Sequence, residues 1–203
     1  MSVKTVFLSS TARDLTAYRE KVYRAIEGLN GWHCKRMEDF GARDWAADAF
    51  CRARVTECDV LVGIVGHLHG SCPPGSEQSY TEREYDAAVA APVPRLIFIA
   101  PEDFPLPASL IEPDEKRQKQ RAFRERISTE RIRDTFTTPD DLARRVVAAI
   151  RNWEQEAVRQ RRPGGARAEG IMPLPRRATL PTPTRSRSTS PAACMSGRCS
   201  RSG

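Results

Sequence analysis

Short apolar runs alternate along this chain with longer stretches whose apolar residues recur every three or four positions. Residues 5–9 (Thr-Val-Phe-Leu-Ser) read as a short buried strand ending at Ser10-Thr11. Beyond it Leu15, Tyr18, Val22, Ile26 and Leu29 share one helical face, which predicts a helix capped by Ser10 or Thr11, with Asp14 in its first turn and Asn30-Gly31 as its stop. Residues 32–37 are a weaker strand of mixed polarity, as suits an outer position, and 44–56 a second helix burying Ala46, Phe50, Cys51 and Val55. The run 59–65 (Asp-Val-Leu-Val-Gly-Ile-Val) is nearly all apolar, the mark of a strand covered on both faces. After a loop from Gly66 to Gly75 come a helix over 79–90 and an apolar strand over 95–100. A charged, mostly solvated helix (113–127) and an edge strand (131–136) follow. A closing helix (138–158) places Leu142, Val146, Val147, Ile150 and Trp153 on one face.

Strands that alternate with helices pair in parallel through right-handed crossovers. Five of them fit a flavodoxin-like α/β sandwich of three layers, with strand order 2-1-3-4-5. In such sheets ligands bind beyond the carboxyl ends of the strands, at the switch point between strands one and three. That topology alone gathers Ser9, Ser10 and Thr11, the loop 66–71 and the start of the 79–90 helix around one crevice.

The helix start carries the sharpest chemical signal. In Ser79-Tyr80-Thr81-Glu82-Arg83-Glu84 two capping boxes are possible, Ser79 with Glu82 and Thr81 with Glu84. Only one register can be used, so one glutamate serves the helix end and the other is left to point elsewhere.

Composition and charge narrow the classes. The longest apolar run, residues 60–65, is far short of the roughly 20 residues that cross a bilayer, and no charged-then-apolar leader opens the chain. The net charge of +7 divides unevenly: residues 159–203 hold ten arginines against the single acid Glu169, a net +9, which leaves −2 for residues 1–158. The basic balance therefore belongs to an Arg/Pro/Ser-rich tail that reads as disordered. Nucleic acid is suggested only weakly, by that tail, and the expected division is an α/β domain over 1–158 and a tail over 159–203. Six scattered cysteines without a Cys-x-x-Cys pair suit reduced thiols in a cytoplasm. Neither a Gly-x-Gly-x-x-Gly fingerprint nor a phosphate-loop lysine is present.

Three segments carry a family resemblance: Val6-Phe7-Leu8-Ser9-Ser10-Thr11 with Asp14-Leu15; Cys58-Asp59-Val60-Leu61-Val62-Gly63-Ile64; and Gly70-Ser71 followed by Ser79-Tyr80-Thr81-Glu82-Arg83-Glu84-Tyr85. Together, over roughly residues 2–101, they resemble a bacterial domain of unknown function, family four-zero-six-two. That domain is usually found ahead of NACHT-type ATPase or repeat modules; here an arginine-rich tail follows instead. It is considered similar in fold to TIR domains and nucleoside 2-deoxyribosyltransferases. In those relatives a glutamate near the start of a comparable helix attacks or stabilises the anomeric carbon of a sugar. The resemblance thus nominates Glu84, with Glu82 second, as the carboxylate for a ribosyl N-glycosidic bond. The crevice set out by the topology makes Ser9, Ser10, Thr11, Gly66, His69, Gly70 and Ser71 the candidate ligand contacts. The resemblance implies NAD or a related nucleotide as the ligand, no separate cofactor, and a bacterial signalling or defence setting.

Plainer readings stand beside these. Glu84 could be a cap or a surface ion-pair partner, and Ser10 and Thr11 simple N-caps. His67 and His69 would need further ligands to hold a metal, and only Cys72 is near, so no metal is expected. One of the two histidines could instead move a proton or touch a ribose. Cys72 as a nucleophile lacks a visible base. The rival function is a non-catalytic module that forms homo-oligomers or docks a signalling partner. A pocket with Glu84 facing the Ser9–Thr11 turn favours the nucleotide reading; Glu84 turned to solvent favours the rival.

Overall fold

The computed structural model describes residues 3–11, 13–36, 53–130 and 133–161. Five strands, β1 (Lys4–Ser10), β2 (Trp32–Lys35), β3 (Val60–Val65), β4 (Arg95–Ile99) and β5 (Arg133–Thr135), form one sheet in the order β2-β1-β3-β4-β5. Every neighbouring pair is parallel. The helices are α1 (Thr16–Glu27), α2 (Tyr80–Ala90), α3 (Asp114–Glu130) and α4 (Pro139–Arg161), with a short 3-10 turn at Ala108–Leu110. This is the flavodoxin-like architecture that the alternating pattern implies. Of the expected 44–56 helix, residues 53–56 are helical and Val55 is fully buried; Ala46, Phe50 and Cys51 lie outside the described residues. The last helix runs past the expected boundary to Arg161, and the rest of the tail also lies outside the described residues.

Side chains alternate across each strand, and that parity builds two cores. Val6 and Leu8 of β1 with Val60, Val62 and Ile64 of β3 face α1 and α4, where they meet Val22, Ile26, Leu142, Val146 and Ile150. Phe7, Leu61, Val65, Ile97 and Ile99 face the opposite way, against Tyr85 and Ala88 of α2 and Phe123 and Ile127 of α3. All six residues of β3 are buried, since this central strand has helices over both faces. The same parity continues to the strand end: Ser9 falls on the α2 side and Ser10 on the α1 side.

One expectation changes. The first helix begins at Thr16 with Leu15 at its N-cap and no side-chain cap, so neither Ser10 nor Thr11 caps it. Thr11 instead donates its hydroxyl to Asp14, closing a turn ahead of the helix. Helix α3 is mostly exposed, as expected, and buries the single stripe Gln120, Phe123, Arg124 and Ile127. Its high charge hides this stripe because two of the four buried residues are polar.

Glycine at position 66 is required by proximity. A Cβ there would stand 2.2 Å from Asp14 Oδ2, and that carboxylate is already engaged by Thr11 and by the Leu68 N–H at 3.4 Å. Substitution Gly66→Ala should destabilise the fold by about 1–3 kcal/mol, as overpacking of a filled site does. Urea unfolding monitored by circular dichroism measures it; an unchanged midpoint would mean that Asp14 does not hold this turn.

Candidate functional site

The cap of α2 decides which glutamate is left over. Ser79 is the N-cap, extended at φ −70° and ψ 159°, and its Oγ accepts the Glu82 N–H at 3.2 Å. With that register used, Thr81 lies inside the first turn and Glu84 is not a capping residue. Glu84, Tyr85 and Ala88 form the buried face of α2, so helical spacing turns the Glu84 side chain towards the sheet. Glu84 is only 4% exposed. Burying a carboxylate is costly unless hydrogen bonds offset the lost water. Here the Ser9 hydroxyl donates to Glu84 Oε2 at 2.5 Å, and Ser9 is itself buried.

Glu84 forms part of the wall of a cavity of about 300 Å³ beyond the carboxyl ends of β1 and β3. Ser10, Thr11, His69, Gly70 and Ser71 line it too. On the β1 side, Arg19 Nη1 donates to the Ser10 carbonyl (2.9 Å) and hydroxyl (2.7 Å), holding that strand end in place. On the other side, Glu112 clamps the loop, accepting the His69 N–H at 2.7 Å and the Gly70 N–H at 3.3 Å. Gly70 takes φ +79°, and a Cβ on it would press within 3.1 Å of Thr11 Cγ2. The two loops therefore approach as closely as they do because position 70 has no side chain.

His69 is 1% exposed. Its Nε2 lies 3.0 Å from the Glu77 carbonyl, which can only accept, so that nitrogen carries the proton in this bond. The other ring nitrogen, Nδ1, is buried without a hydrogen-bond partner. Cys72 Sγ sits 3.4 Å from His69 Nε2, which supplies the neighbouring imidazole that the sequence did not reveal. The protonated Nε2 is directed to Glu77, however, so it is not placed to take the thiol proton. Among the described residues no group of three or more His, Cys, Asp or Glu could hold a metal ion.

Of the nominated residues, Glu84, Ser10, Thr11, His69, Gly70 and Ser71 share the cavity, and Ser9 stands directly behind Glu84. Glu82 does not reach it; its carboxylate lies 3.2 Å from Arg126, on the flank of α2 that faces α3. Gly66 is beneath the site, packed on Asp14, and shapes the loop without lining the cavity. Sequence reasoning missed Arg13, Arg19 and Tyr80 in the wall and Glu112 as the clamp. A signal for Arg19 was available: it falls on the apolar stripe of α1, between Leu15 and Val22, where a cation needs a buried partner. Glu112 gave none, since its contact spans more than forty positions of chain.

A doubly wound parallel sheet with a buried carboxylate at its switch-point crevice defines the class of this domain. The model of the domain of unknown function DUF4062 matches residues 5–151, and the chain belongs to that family. No curated protein matches the chain significantly. Among the described residues, no helix is long and apolar enough to cross a membrane.

The capping register has a measurable consequence. Ser79→Ala should cost about 1 kcal/mol, the usual loss for an N-cap hydroxyl, whereas Thr81→Ala should stay within about 0.5 kcal/mol. Chemical denaturation of the two variants distinguishes the registers; the reverse order would return Glu84 to a capping role.

Proposed function

We propose that this domain recognises a nucleotide of the NAD type by its ribose, and that Glu84 acts on the ribosyl N-glycosidic bond. The observation that carries the reading is the buried Glu84 carboxylate, held by Ser9 in the wall of a cavity at the sheet's switch point. A carboxylate kept in such a place at a desolvation cost is a candidate for chemistry. At about 300 Å³ the cavity is at the small end of ligand pockets, which run to about 1,000 Å³. It suits a ribose with its attached ring, and the remainder of a dinucleotide would project through the mouth, past the exposed Arg13.

In the proposed reaction the bond between the anomeric carbon and the nicotinamide nitrogen breaks, and its electron pair leaves with the ring, which becomes neutral. The positive charge left on the sugar is stabilised or trapped by the Glu84 carboxylate. Water then adds to the anomeric carbon and releases a proton. The Ser9 hydroxyl fixes the direction of the carboxylate, while Ser10, Thr11 and the 69–71 loop offer polar contacts for ribose hydroxyls. Nδ1 of His69 is a further polar atom of this loop, buried without a hydrogen-bond partner. A setting in bacterial signalling or defence rests on the family resemblance alone. The rival reading, a non-catalytic interaction module, would suit a solvent-facing or capping Glu84, and Glu84 has neither role.

Incubation of purified protein with NAD, following nicotinamide release, is the direct test. Wild type should turn NAD over, and Glu84→Gln should lose at least about 10²-fold in kcat, as loss of a group acting on the reacting atoms does. Calorimetry on both proteins separates recognition from chemistry. Binding without turnover would retire hydrolysis and keep recognition; neither binding nor turnover would overturn the reading.

A further inference from the structure

A larger cavity, about 700 Å³, opens on the other flank of the 66–70 loop, between the connection that follows β4 and helix α3. It shares only Leu68 with the Glu84 cavity, so its chemistry is its own. One part of its wall is apolar, with Ile99, Leu106 and Ile111 beside the Phe104 ring. The His67 ring lies against Phe104, with centroids 6.2 Å apart and planes 28° from parallel. The other part is cationic: Arg117, Arg121 and Arg124 project from one face of α3 at positions i, i+4 and i+7, joined by Arg133.

Three carboxylates border this cavity; Glu125 is exposed one turn along α3 from Arg121, and the other two do not simply cancel the arginine charges. Glu112 gives its oxygens to the His69 and Gly70 amides. Glu102 is an outlying partner of Arg124 at 2.8 Å, with its own side chain 91% exposed. The Arg124 hydrogen bond holds the Glu102 carboxyl below its ordinary range. Arg124 is more than nine-tenths buried and anchored on backbone oxygens, Ala100 O at 2.8 Å, Gly66 O at 3.3 Å and Val65 O at 3.4 Å. It is thus a fixed positive charge in the wall. Arg117 pairs outward with Asp114, both well exposed, in the kind of contact that costs little to break. Arg121 is exposed beside it.

We propose that this cavity binds an organic phosphate: a small molecule with a planar ring against the His67–Phe104 end and phosphate oxygens on Arg117 and Arg121. Guanidinium groups match phosphate with paired, charge-assisted hydrogen bonds, and a ring beside an apolar wall supplies the remaining burial. The volume lies well inside the range of small-molecule sites. This site does not depend on Glu84 or on any reaction there.

Titration calorimetry of the full chain with adenosine triphosphate tests it, with tripolyphosphate as competitor. Saturable binding should weaken at least about tenfold in the double variant Arg117→Ala/Arg121→Ala, the loss of two charge-assisted contacts. Both residues are exposed, and circular dichroism should show the fold retained. Glu84→Gln should bind within about twofold of wild type, since that side chain belongs to the other cavity. Absence of saturable binding would overturn the proposal. So would equal affinity in the double variant, which would put the phosphate elsewhere, for instance on the arginine-rich tail. Loss in Glu84→Gln would place the ligand in the smaller cavity and overturn it as well.

Discussion

The loop that leaves the central strand has to satisfy its backbone without a ladder, and much of the molecule is arranged to do it. A buried peptide group without a partner is costly, so each one must be accounted for. The Leu68 amide is met by Asp14 from the turn before α1, and the His69 and Gly70 amides by Glu112 from the segment before α3. The Gly66 carbonyl accepts from Gln120 and Arg124, and the Gly70 carbonyl from Lys116, all three on α3. Side chains from two distant segments thereby impose the shape of five residues that have no regular structure of their own. Both cavities take a wall from that loop.

The same requirement explains the polar residues buried in α3. Gln120 and Arg124 occupy positions that an amphipathic helix would give to leucine, because the ends of β3 and β4 present carbonyl oxygens there. A buried guanidinium is tolerated where several oxygens surround it. Arg19 does the corresponding work under β1, with the Ser10 carbonyl and hydroxyl as acceptors. On each side of the sheet a buried arginine closes the carboxyl end of the strands, which is also the end where the cavities open.

The fold was legible because parallel strands buried on both faces leave continuous apolar runs. The 59–65 run and the 95–100 run mark β3 and β4, and the alternation of strand and helix yields the order β2-β1-β3-β4-β5. Capping logic narrowed two glutamates to one by showing that both could not cap, but the choice between registers needed the geometry of Ser79. What stayed hidden has a common cause. Asp14, Glu112 and Arg124 act on backbone groups, and a backbone group has no letter in a sequence. The start of α1 was misjudged for the same reason: Thr11 looks like a cap by residue type, while its hydroxyl serves the Asp14 turn.

The position of Glu84 follows from these constraints acting together. Strand parity directs Ser9 to the α2 side, and the Ser79 cap sets the rotation of α2 so that position 84 faces inward. Asp14 and Glu112 meanwhile hold the opposing loop in place, so the space in front of the carboxylate persists as a cavity. A leucine at position 84 would fill that face of α2 without any desolvation cost, and a leucine would need no serine behind it. A carboxylate there, with a hydroxyl supplied from β1 to orient it, is a costly arrangement for packing alone. That cost is what the proposed action of Glu84 on a ribosyl bond rests on, since a carboxylate stabilises developing positive charge best out of bulk water.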